Sequence, residues 1–508
     1  WGFAGVIAWT FHFMRVGGLL TFCAAVWPRK TSAVRGERSG VRESGSAGSS
    51  RAASIHVEGS HSTTQPLNHS TTSAARKLLR WPPFWFSFLF LLYLTIQALN
   101  PSIIVVHGEE GWWVEKMQAP LASWLPTSVR SDYEPMNAFR VLEWFTASFV
   151  LMWGIWAGIT RRKTAIFILW ALVLSGSGMA LVGILQDATD ADKVLWTLKS
   201  ANEHYWGSFF YRNQGAAYLN LMLIGIGFLY FYHAKNSAES GQSGGPHFLL
   251  FLLFALVVAS VALALSRGGI IFAVVLSIGF IGGVILQALL ASRHLGSSLI
   301  ISILVVSLMG LGAYMMVQQV DFEAIKNRFG DVEATIENAE KDARTISTKA
   351  TMEMAKDKFW LGWGAGSFRY IFPIYQQNYP EIFYGYNHKQ KGWIGRRVYH
   401  YAHNDIAQFW AEYGVIGCGL LLLTFGTLLF SAFKPFSLSA SSIVHFPLST
   451  FHLMVGAATI SAHAFVEFIL NSPAYWVALV GLFVASAKLF QLEAARRRGG
   501  EGERLRRC

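Results

Sequence analysis

Long apolar segments recur along the chain and constrain its fold more than any other feature. Many of them contain 18 residues or more, about the length that a helix needs to cross a hydrocarbon core of roughly 30 Å. Hydrophobic residues make up 53% of the sequence and charged residues only 14%. Because a membrane-spanning helix satisfies its backbone hydrogen bonds internally, this pattern predicts an all-α polytopic membrane protein.

Ten membrane-spanning helices are predicted after residue 80. Their expected limits are 81–99, 141–160, 164–185, 215–233, 247–265, 270–291, 297–317, 405–430, 449–470 and 474–492. Basic residues lie at every second connection, and they are Arg76, Lys77, Arg80, Arg161, Arg162, Lys163, Lys235, Arg293, Lys434, Arg496, Arg497 and Arg498. Ten spans bring all of them to one side, which their charge assigns to the cytoplasm. Topology thereby explains the net charge of +12, and nucleic-acid binding is not indicated.

The opposite side receives three longer segments, at 100–140, 186–214 and 318–404. The last is about 85 residues long, which is too long for a simple connection. It includes a predicted amphipathic helix and ends in a polar cluster. We therefore expect residues 318–404 to form a large helical loop that contains much of the functional site.

Both ends of the chain differ from the membrane region at 81–492. Residues 1–27 are apolar, which fits a signal anchor, a signal peptide or a leader, and the sequence leaves these alternatives open. Residues 28–80 are rich in Ser, Arg, Gly and Thr and are expected to form a disordered linker. Residues 493–508 are expected to form a basic cytoplasmic tail.

The polar cluster YHYAHND comes immediately before the span predicted at 405–430. His403 is a candidate general base, because imidazole can accept a proton near neutral pH. Asn404 or Asp405 can cap the helix that begins here and so fix the direction of the imidazole. The alternative is a cluster that only caps the helix.

Two arginines on the same side are candidate anion-binding residues. Arg267 lies between two spans in the sequence SRGG, where a charge is costly unless it reaches the interface or binds an anion. Arg344 lies in the predicted amphipathic helix of the long loop. For Arg344 alone, pairing with Glu340 on a solvated helix face is the simpler interpretation.

Two pairs of residues give weaker signals. Gly364 and Gly366 are expected in a flexible turn whose backbone amides could contact a phosphate. His463 and Glu467 are four residues apart, so they are expected to share one helix face. Ionisable residues in a membrane span are functional candidates, and a purely structural hydrogen-bonded pair is the competing interpretation.

The sequence gives little support for a metal or another cofactor. Asp190 and Asp192 lie in one expected turn, where two carboxylates are more often solvated than bound to a metal. The 3 cysteines are scattered and indicate neither a disulfide framework nor a metal site.

Several short motifs, taken together and in order, resemble those of the O-antigen ligase and O-antigen polymerase superfamily. They are His403-Asn404 followed by Gly414-Val415-Ile416-Gly417, Ser266-Arg267-Gly268-Gly269, GWGAGSF with FPIYQ, FFYRNQGAAYL at 209–219, and HAFVEF. The similarity covers roughly residues 81–492. The order and topology are specific, whereas no single motif is.

This resemblance implies a GT-C type glycosyltransferase of the bacterial inner membrane, with its active site facing the periplasm. Such an enzyme needs no metal or other cofactor. It transfers a glycan, with inversion, from an undecaprenyl-diphosphate carrier to an acceptor hydroxyl. Carried over by motif, Arg267 and Arg344 would bind the diphosphate, and His403 would deprotonate the acceptor. The planar fork of arginine matches phosphate oxygens, and the leaving diphosphate develops charge that a cation stabilises.

Some positions qualify the resemblance. Arg212 is a secondary anion-binding candidate, and Gln214 stands where relatives often have histidine, which argues against proton transfer there. Glu467 stands where aspartate is more common. The length of the long loop varies in the superfamily, so Arg328 and Arg369 are rivals of Arg344.

Ligase and polymerase share this chemistry and differ in the acceptor. A ligase uses lipid A core or another surface molecule, whereas a polymerase uses a second carrier-linked repeat; ligase is the preferred interpretation. A transporter of lipid-linked glycans is a remoter alternative. It would require charges near the middle of the membrane and broken, repeat-related helices.

Overall fold

The computed structural model describes residues 68–109, 111–132, 136–200, 202–241, 245–291, 342–387, 392–433 and 447–507. Eight helices in these ranges are long and apolar enough to cross a membrane. They are α2 (Pro82–Leu99), α3 (Ala138–Gly158), α4 (Arg162–Ala188), α5 (Arg212–Glu239), α7 (Arg267–Ala291), α11 (Asp405–Phe433), α12 (Leu448–Val466) and α13 (Pro473–Arg507). A shorter apolar helix, α6 (His247–Leu263), packs among them. The protein is therefore an α-helical, multi-pass membrane protein, as the sequence predicts.

The remaining elements are short. They are α1 (Asn68–Leu79), β1 (Pro101–Gly108), β2 (Gly111–Lys116), β3 (Ser128–Arg130), α8 (Ala343–Asp357), α9 (Phe368–Gln376), α10 (Pro380–Phe383), β4 (Tyr384–Asn387) and β5 (Gly392–Arg396). The strands form a three-stranded sheet in the order β2-β1-β3 and a separate β4-β5 hairpin. These small sheets are additions to the predicted all-α architecture.

Nine of the ten predicted spans coincide with described helices, and the span predicted at 297–317 lies outside the described residues. Predicted disorder at 28–80 is wrong for residues 68–79, which form α1. Ala74 and Leu78 of α1 are buried and are one helical turn apart. They form a small apolar side on a helix whose composition is otherwise mostly polar. Residues 1–67 lie outside the described part of the chain. Within the predicted tail, helix α13 continues to Arg507.

Helix α5 lies at the centre of the bundle and packs against α4, α6, α7 and α12. It is buried along most of its length. Small residues allow close contacts around it: a Cβ atom added at Gly227 would lie 2.2 Å from the His452 ring, and one added at Gly176 would lie 2.0 Å from Met222. Small residues are a common basis of helix packing in membranes, where apolar surfaces alone do not favour protein over lipid.

Polar contacts mark the two ends of the bundle. At one end, Arg162 Nε lies 2.6 Å from Glu493 Oε1, and the hydroxyl of Tyr232 donates to the same carboxylate at 2.9 Å. Arg212, at the start of α5, lies twenty residues before Tyr232, a helical distance of about 30 Å. Arg212 therefore belongs to the opposite end, which we call the site end.

Helix α11 is broken at Gly414, which adopts φ 63° and ψ −175°. The sequence predicts one continuous span here. Residues 359–363 pair with the exposed backbone at the break: Val415 N donates to Phe359 O at 2.9 Å, and Trp363 N donates to Ala411 O at 2.8 Å. The break gives the first two turns of α11 their own direction, and these turns follow directly after His403.

Candidate active site at one end of the helix bundle

His403 lies immediately before α11 in a left-handed backbone conformation, with φ 58°. Asn404 caps the helix, because the backbone amide of Ala407 donates to Asn404 Oδ1 at 3.0 Å. The imidazole meets the edge of the Phe468 ring, with 4.8 Å between centroids. The His403 side chain is 26% exposed, so it is held in place and remains open to solvent.

Glu467 is the partner of His403. His403 Nδ1 lies 3.0 Å from Glu467 Oε1. Helix α12 ends at Val466, and Glu467 has extended backbone angles, φ −153° and ψ 169°. The prediction that His463 and Glu467 share a helix face is therefore wrong, because the helix has already ended at Glu467 and its carboxylate turns towards α11.

Arg344 binds the second oxygen of the same carboxylate. Its Nη2 lies 3.2 Å from Glu467 Oε2, and its Nη1 donates to the carbonyl of Val466 at 3.3 Å. Asp342 caps α8 by accepting from the amides of Arg344 and Thr345, which fixes the start of that helix. The alternative partner, Glu340, lies outside the described residues. The Arg344 side chain is 47% exposed, and a guanidinium has five N–H donors, so donors remain for a ligand.

The carboxylate of Glu467 is ionised in this setting. Burial disfavours its charge, but the hydrogen bond from His403 and the charge of Arg344 outweigh burial, so the pKa of Glu467 is lowered from its ordinary value. An ionised carboxylate can only accept hydrogen bonds. Nδ1 of His403 therefore donates to Glu467, and Nε2 is the nitrogen that can accept a proton.

The start of α5 reaches the same carboxylate. Asn213 Nδ2 donates to Glu467 Oε2 and to the hydroxyl of Tyr211 at 2.9 Å. Burial and the nearby charge of Glu467 raise the pKa of Tyr211 to about 12, against the opposing charges of Arg344 and Arg212. Arg212, the first residue of α5, is thus placed close enough to interact electrostatically with this cluster.

Arg267 and His463 form a neighbouring part of the site end. Arg267 is the first residue of α7 and is partly exposed. A Cβ atom added at Gly268 would lie 3.1 Å from His463 Nε2, and the imidazole packs on Phe272 at 4.7 Å. Within the described residues, the hydrogen bonds and ion pairs of Glu467 do not include Arg267. The start of α7, where Arg267 lies, therefore packs beside His463 through Gly268 and Phe272.

Asp405 has a structural role that the sequence left open. Its buried carboxylate accepts from the backbone amide of Leu470 at 2.7 Å and from Asn471 Nδ2 at 2.7 Å. These bonds attach the segment after α12 to the start of α11. Asn404 is the cap, and Asp405 holds the loop that carries Glu467 close to His403.

The amides of the Gly364 and Gly366 turn, expected to be able to contact a phosphate, are bound within the protein. The amide of Gly364 donates to the carbonyl of Glu412 at 2.8 Å, and the amide of Gly366 donates to its carboxylate at 3.1 Å. The amide of Phe368 donates to the other carboxylate oxygen at 3.2 Å. A buried side chain of the protein therefore occupies the anion-binding position of this turn.

Arg369, a rival of Arg344, and Gln214 have other partners. Arg369 Nη1 lies 3.1 Å from His400 Nδ1, and Gln214 Nε2 donates to the carbonyl of Phe468 at 3.4 Å. Arg328 lies outside the described residues. Among the residues with described positions, no group of three or more His, Cys, Asp or Glu side chains could hold a metal ion.

The sequence did not indicate Tyr211, Asn213 or the stacked aromatic rings at the site. The ring of Phe468 is stacked between Tyr211 and Tyr401, at centroid distances of 4.8 Å and 4.5 Å. Asn213 follows Arg212 directly, so the motif that drew attention to Arg212 also contained this residue. Nothing in the pattern of Tyr401 or Phe468 separates them from ordinary packing aromatics.

The fold and the site together define a multi-pass membrane protein with a polar, partly buried cluster at one end of its bundle. A family model described as O-antigen ligase matches residues 250–422. The matched range includes Arg267, Arg344 and His403, whereas Arg212 and Glu467 lie outside it. The match confirms the resemblance to the O-antigen ligase and polymerase superfamily and supports a role of that type, glycosyltransferase-like, in polysaccharide biosynthesis. No curated protein matches the chain.

Proposed function

We propose that this protein transfers a glycan from an undecaprenyl-diphosphate carrier to an acceptor hydroxyl, with inversion at the transferred sugar. The observation that carries the proposal is the His403–Glu467 pair, with 3.0 Å between Nδ1 and Oε1, next to the Arg344 guanidinium. A base oriented by a carboxylate is suited to activate a hydroxyl. A neighbouring cation can stabilise the negative charge that develops on the leaving diphosphate.

The proposed reaction proceeds in one displacement. The acceptor oxygen forms a bond to the anomeric carbon while the bond from that carbon to the diphosphate oxygen breaks. His403 Nε2 takes the acceptor proton, and the ionised Glu467 stabilises the imidazolium that results. The carrier leaves as the diphosphate, and the proton passes from His403 to solvent before the next cycle. Attack from the face opposite the diphosphate gives inversion.

Arg344, Arg267 and Arg212 are the proposed diphosphate-binding residues. Two donors of Arg344 are used by Glu467 and by the carbonyl of Val466, and its remaining N–H groups are available to a phosphate oxygen. Arg267 and Arg212 begin helices α7 and α5, where the positive end of the helix dipole also favours an anion. The resemblance and these positions support the proposal together.

We propose that the site faces the periplasm. The cluster at Arg162 lies about 30 Å along the bundle from the site end, and short basic connections mark the cytoplasmic side in membrane proteins. A carrier lipid presents its diphosphate at the membrane surface, which suits a site at the ends of helices α5, α7, α11 and α12. The proposed location is the bacterial inner membrane.

The proposed acceptor class is lipid A core or another surface glycan, as in an O-antigen ligase. Polymerisation of carrier-linked repeats is the second candidate, because the same base and cations would serve it. The glycan profile of a strain lacking this chain separates the two. Loss of all capping with carrier-linked polymer accumulating indicates a ligase, whereas single repeats that still cap the core indicate a polymerase.

The catalytic proposal is tested with protein reconstituted in vesicles that contain a diphosphate-linked glycan donor and an acceptor. His403→Ala is expected to insert and to retain donor binding, but to lose transfer. Arg267→Lys keeps the charge and loses the planar fork, so transfer is expected to fall sharply. Normal transfer by His403→Ala overturns the role of His403 as base. An unchanged transfer rate in Arg267→Lys means that Arg267 only extends its charge to the membrane interface and does not bind the diphosphate. Movement of the donor across the membrane without transfer favours the transporter alternative.

A further inference from the structure

The loop between β2 and β3 exposes large apolar side chains at the site end of the bundle. Trp124 is 75% exposed and Leu121 is 54% exposed. Residues 117–129, MQAPLASWLPTSV, contain no charged side chain, and they lie between exposed Lys116 and Arg130. Such a loop is unusual on a surface that faces water, and its composition resembles that of segments in the interfacial layer of a bilayer.

The loop is fixed to the end of a membrane-spanning helix. Asn100, the C-cap of α2, donates from Nδ2 to the carbonyl of Ala122 at 2.9 Å and to that of Pro126 at 3.2 Å. Its Oδ1 accepts from the backbone amide of Leu121 at 2.9 Å. One buried amide side chain therefore holds both sides of the loop, at the level where α2 leaves the membrane.

The other end of the loop is fixed against the body of the protein. A Cβ atom added at Gly364 would lie 2.4 Å from the Cα atom of Ser128, so the backbones of these two segments touch. Thr127 and Ser128 are buried. The loop therefore presents Leu121 and Trp124 from a rigid base.

Helix α2, whose C-cap holds this loop, also exposes apolar side chains. Leu92 is 47% exposed and Leu99 is 52% exposed on that helix, as expected for side chains that face lipid. Leu121 and Trp124 are further exposed apolar side chains just beyond the end of α2. Tryptophan is enriched where the headgroups meet the acyl chains, because its ring is apolar and its indole N–H is polar. Lys116 and Arg130 at the loop ends suit lipid phosphates.

We propose that residues 117–126 form an interfacial anchor, with Leu121 and Trp124 inserted into the lipid leaflet at the site end. The anchor fixes the depth of the β1–β3 sheet at the membrane surface. Because Gly364 contacts Ser128 and the amide of Ala365 donates to Gln97 of α2 at 3.2 Å, it also fixes the depth of the segment that supports α11. This inference does not depend on the proposed reaction.

Spin labels on single cysteines test the anchor in full-length protein in which Cys23, Cys418 and Cys508 have been substituted. Labels are placed at Leu121→Cys and, separately, at Trp124→Cys. Leu92→Cys serves as the lipid-facing reference, and Lys356→Cys, exposed on α8, as the aqueous reference. The protein is placed in lipid nanodiscs with one copy per disc. Collision of each label with oxygen, which concentrates in lipid, is compared with collision with a water-soluble nickel complex.

The anchor predicts that labels at 121 and 124 lose access to the nickel complex and gain access to oxygen relative to the label at 356. Their oxygen-to-nickel ratio should lie between the ratios at 356 and at 92. Ratios equal to that at 356 at both positions overturn the proposal. Protection that appears only in crowded vesicles, and not in single-copy discs, also overturns it, because a second copy of the chain would then cover the loop. Both residues are exposed, so neither substitution removes a core contact.

Discussion

His403 Nδ1 lies 3.0 Å from Glu467 Oε1, and the contact joins residues that are 64 positions apart in the sequence. Each residue sits at the end of a helix: His403 precedes α11, and Glu467 follows α12. The contact assigns the donor to Nδ1 and leaves Nε2 as the proton acceptor. Because Arg344 binds the other carboxylate oxygen, a base and a cation share one buried anion.

Replacing His403 with glutamine tests the base without removing its hydrogen-bonding capacity. The glutamine amide can still donate to Glu467, but it cannot take a proton from an acceptor hydroxyl. Transfer is expected to fall about 10²- to 10⁴-fold, the range in which a general base contributes to rate. The measurement is single-turnover glycan transfer in reconstituted vesicles, with donor binding determined separately. Undiminished transfer, or an equal loss of transfer and donor binding, would contradict a role as base.

Replacing Glu467 with glutamine is expected to lower transfer by up to about 10⁴-fold, because a neutral amide neither fixes the imidazole tautomer nor stabilises the imidazolium.

The ionisation of Glu467 also predicts that the stability of the folded protein depends on pH. The pKa of Glu467 is lowered in the folded protein, so its ionised form stabilises the fold at pH values above the ordinary glutamate pKa of about 4.3. That contribution disappears as the pH falls through the lowered pKa.

The Tm difference between the natural protein and Glu467→Gln should therefore be largest near neutral pH and shrink in acid. Thermal unfolding in detergent between about pH 7 and pH 3 measures it. A difference that stays constant over this range would mean that the ionisation of Glu467 contributes nothing to stability.

The sequence predicts the bundle well because each span carries its own signal, a long apolar run that only a helix can place in lipid. The strands were missed because they carry no such signal. Strand β3 has only 3 residues, and it pairs with β1 across the long loop at 117–127. Such pairing is decided by tertiary contacts more than by local propensity.

For the candidate site, the sequence indicated several of the clustered residues but not the contacts between them. Motif resemblance drew attention to His403, Arg344 and Glu467, but helical spacing placed Glu467 on the wrong element. A spacing of four residues puts two side chains on one face only where the helix continues, and α12 ends one residue before Glu467. The partner of the glycine turn was likewise not apparent from local sequence: Glu412, a carboxylate from another segment, accepts from the amides of Gly366 and Phe368.

Arg344 is expected to tolerate neither a lysine nor a neutral residue. A lysine ammonium lacks the planar fork that reaches both Glu467 and the carbonyl of Val466. Arg344→Lys should lower transfer on the order of 10- to 100-fold, because charge-assisted hydrogen bonds contribute about 1.5–3 kcal/mol each. Arg344→Gln should lower it further. The matched control is Lys356→Gln, which removes a charge from the exposed end of the same helix and should leave the transfer rate unchanged. Equal effects of Arg344→Gln and Lys356→Gln would indicate a general effect of charge.

Gly364→Ala should destabilise the site end without touching the proposed base or cations. Gly364 has φ 103°, and its added Cβ would lie 2.4 Å from the Cα atom of Ser128 and 2.6 Å from the carbonyl of Thr127. These backbone atoms cannot yield as a flexible side chain can, so a loss of about 1–3 kcal/mol is expected. Gly419→Ala in α11 is the control, because nothing lies within 4 Å of its added Cβ and alanine is favoured over glycine in a helix. Thermal unfolding in detergent should show a lower Tm for Gly364→Ala and an equal or higher one for Gly419→Ala. Equal Tm values for the two variants would mean that the glycine turn is not packed against the sheet as described.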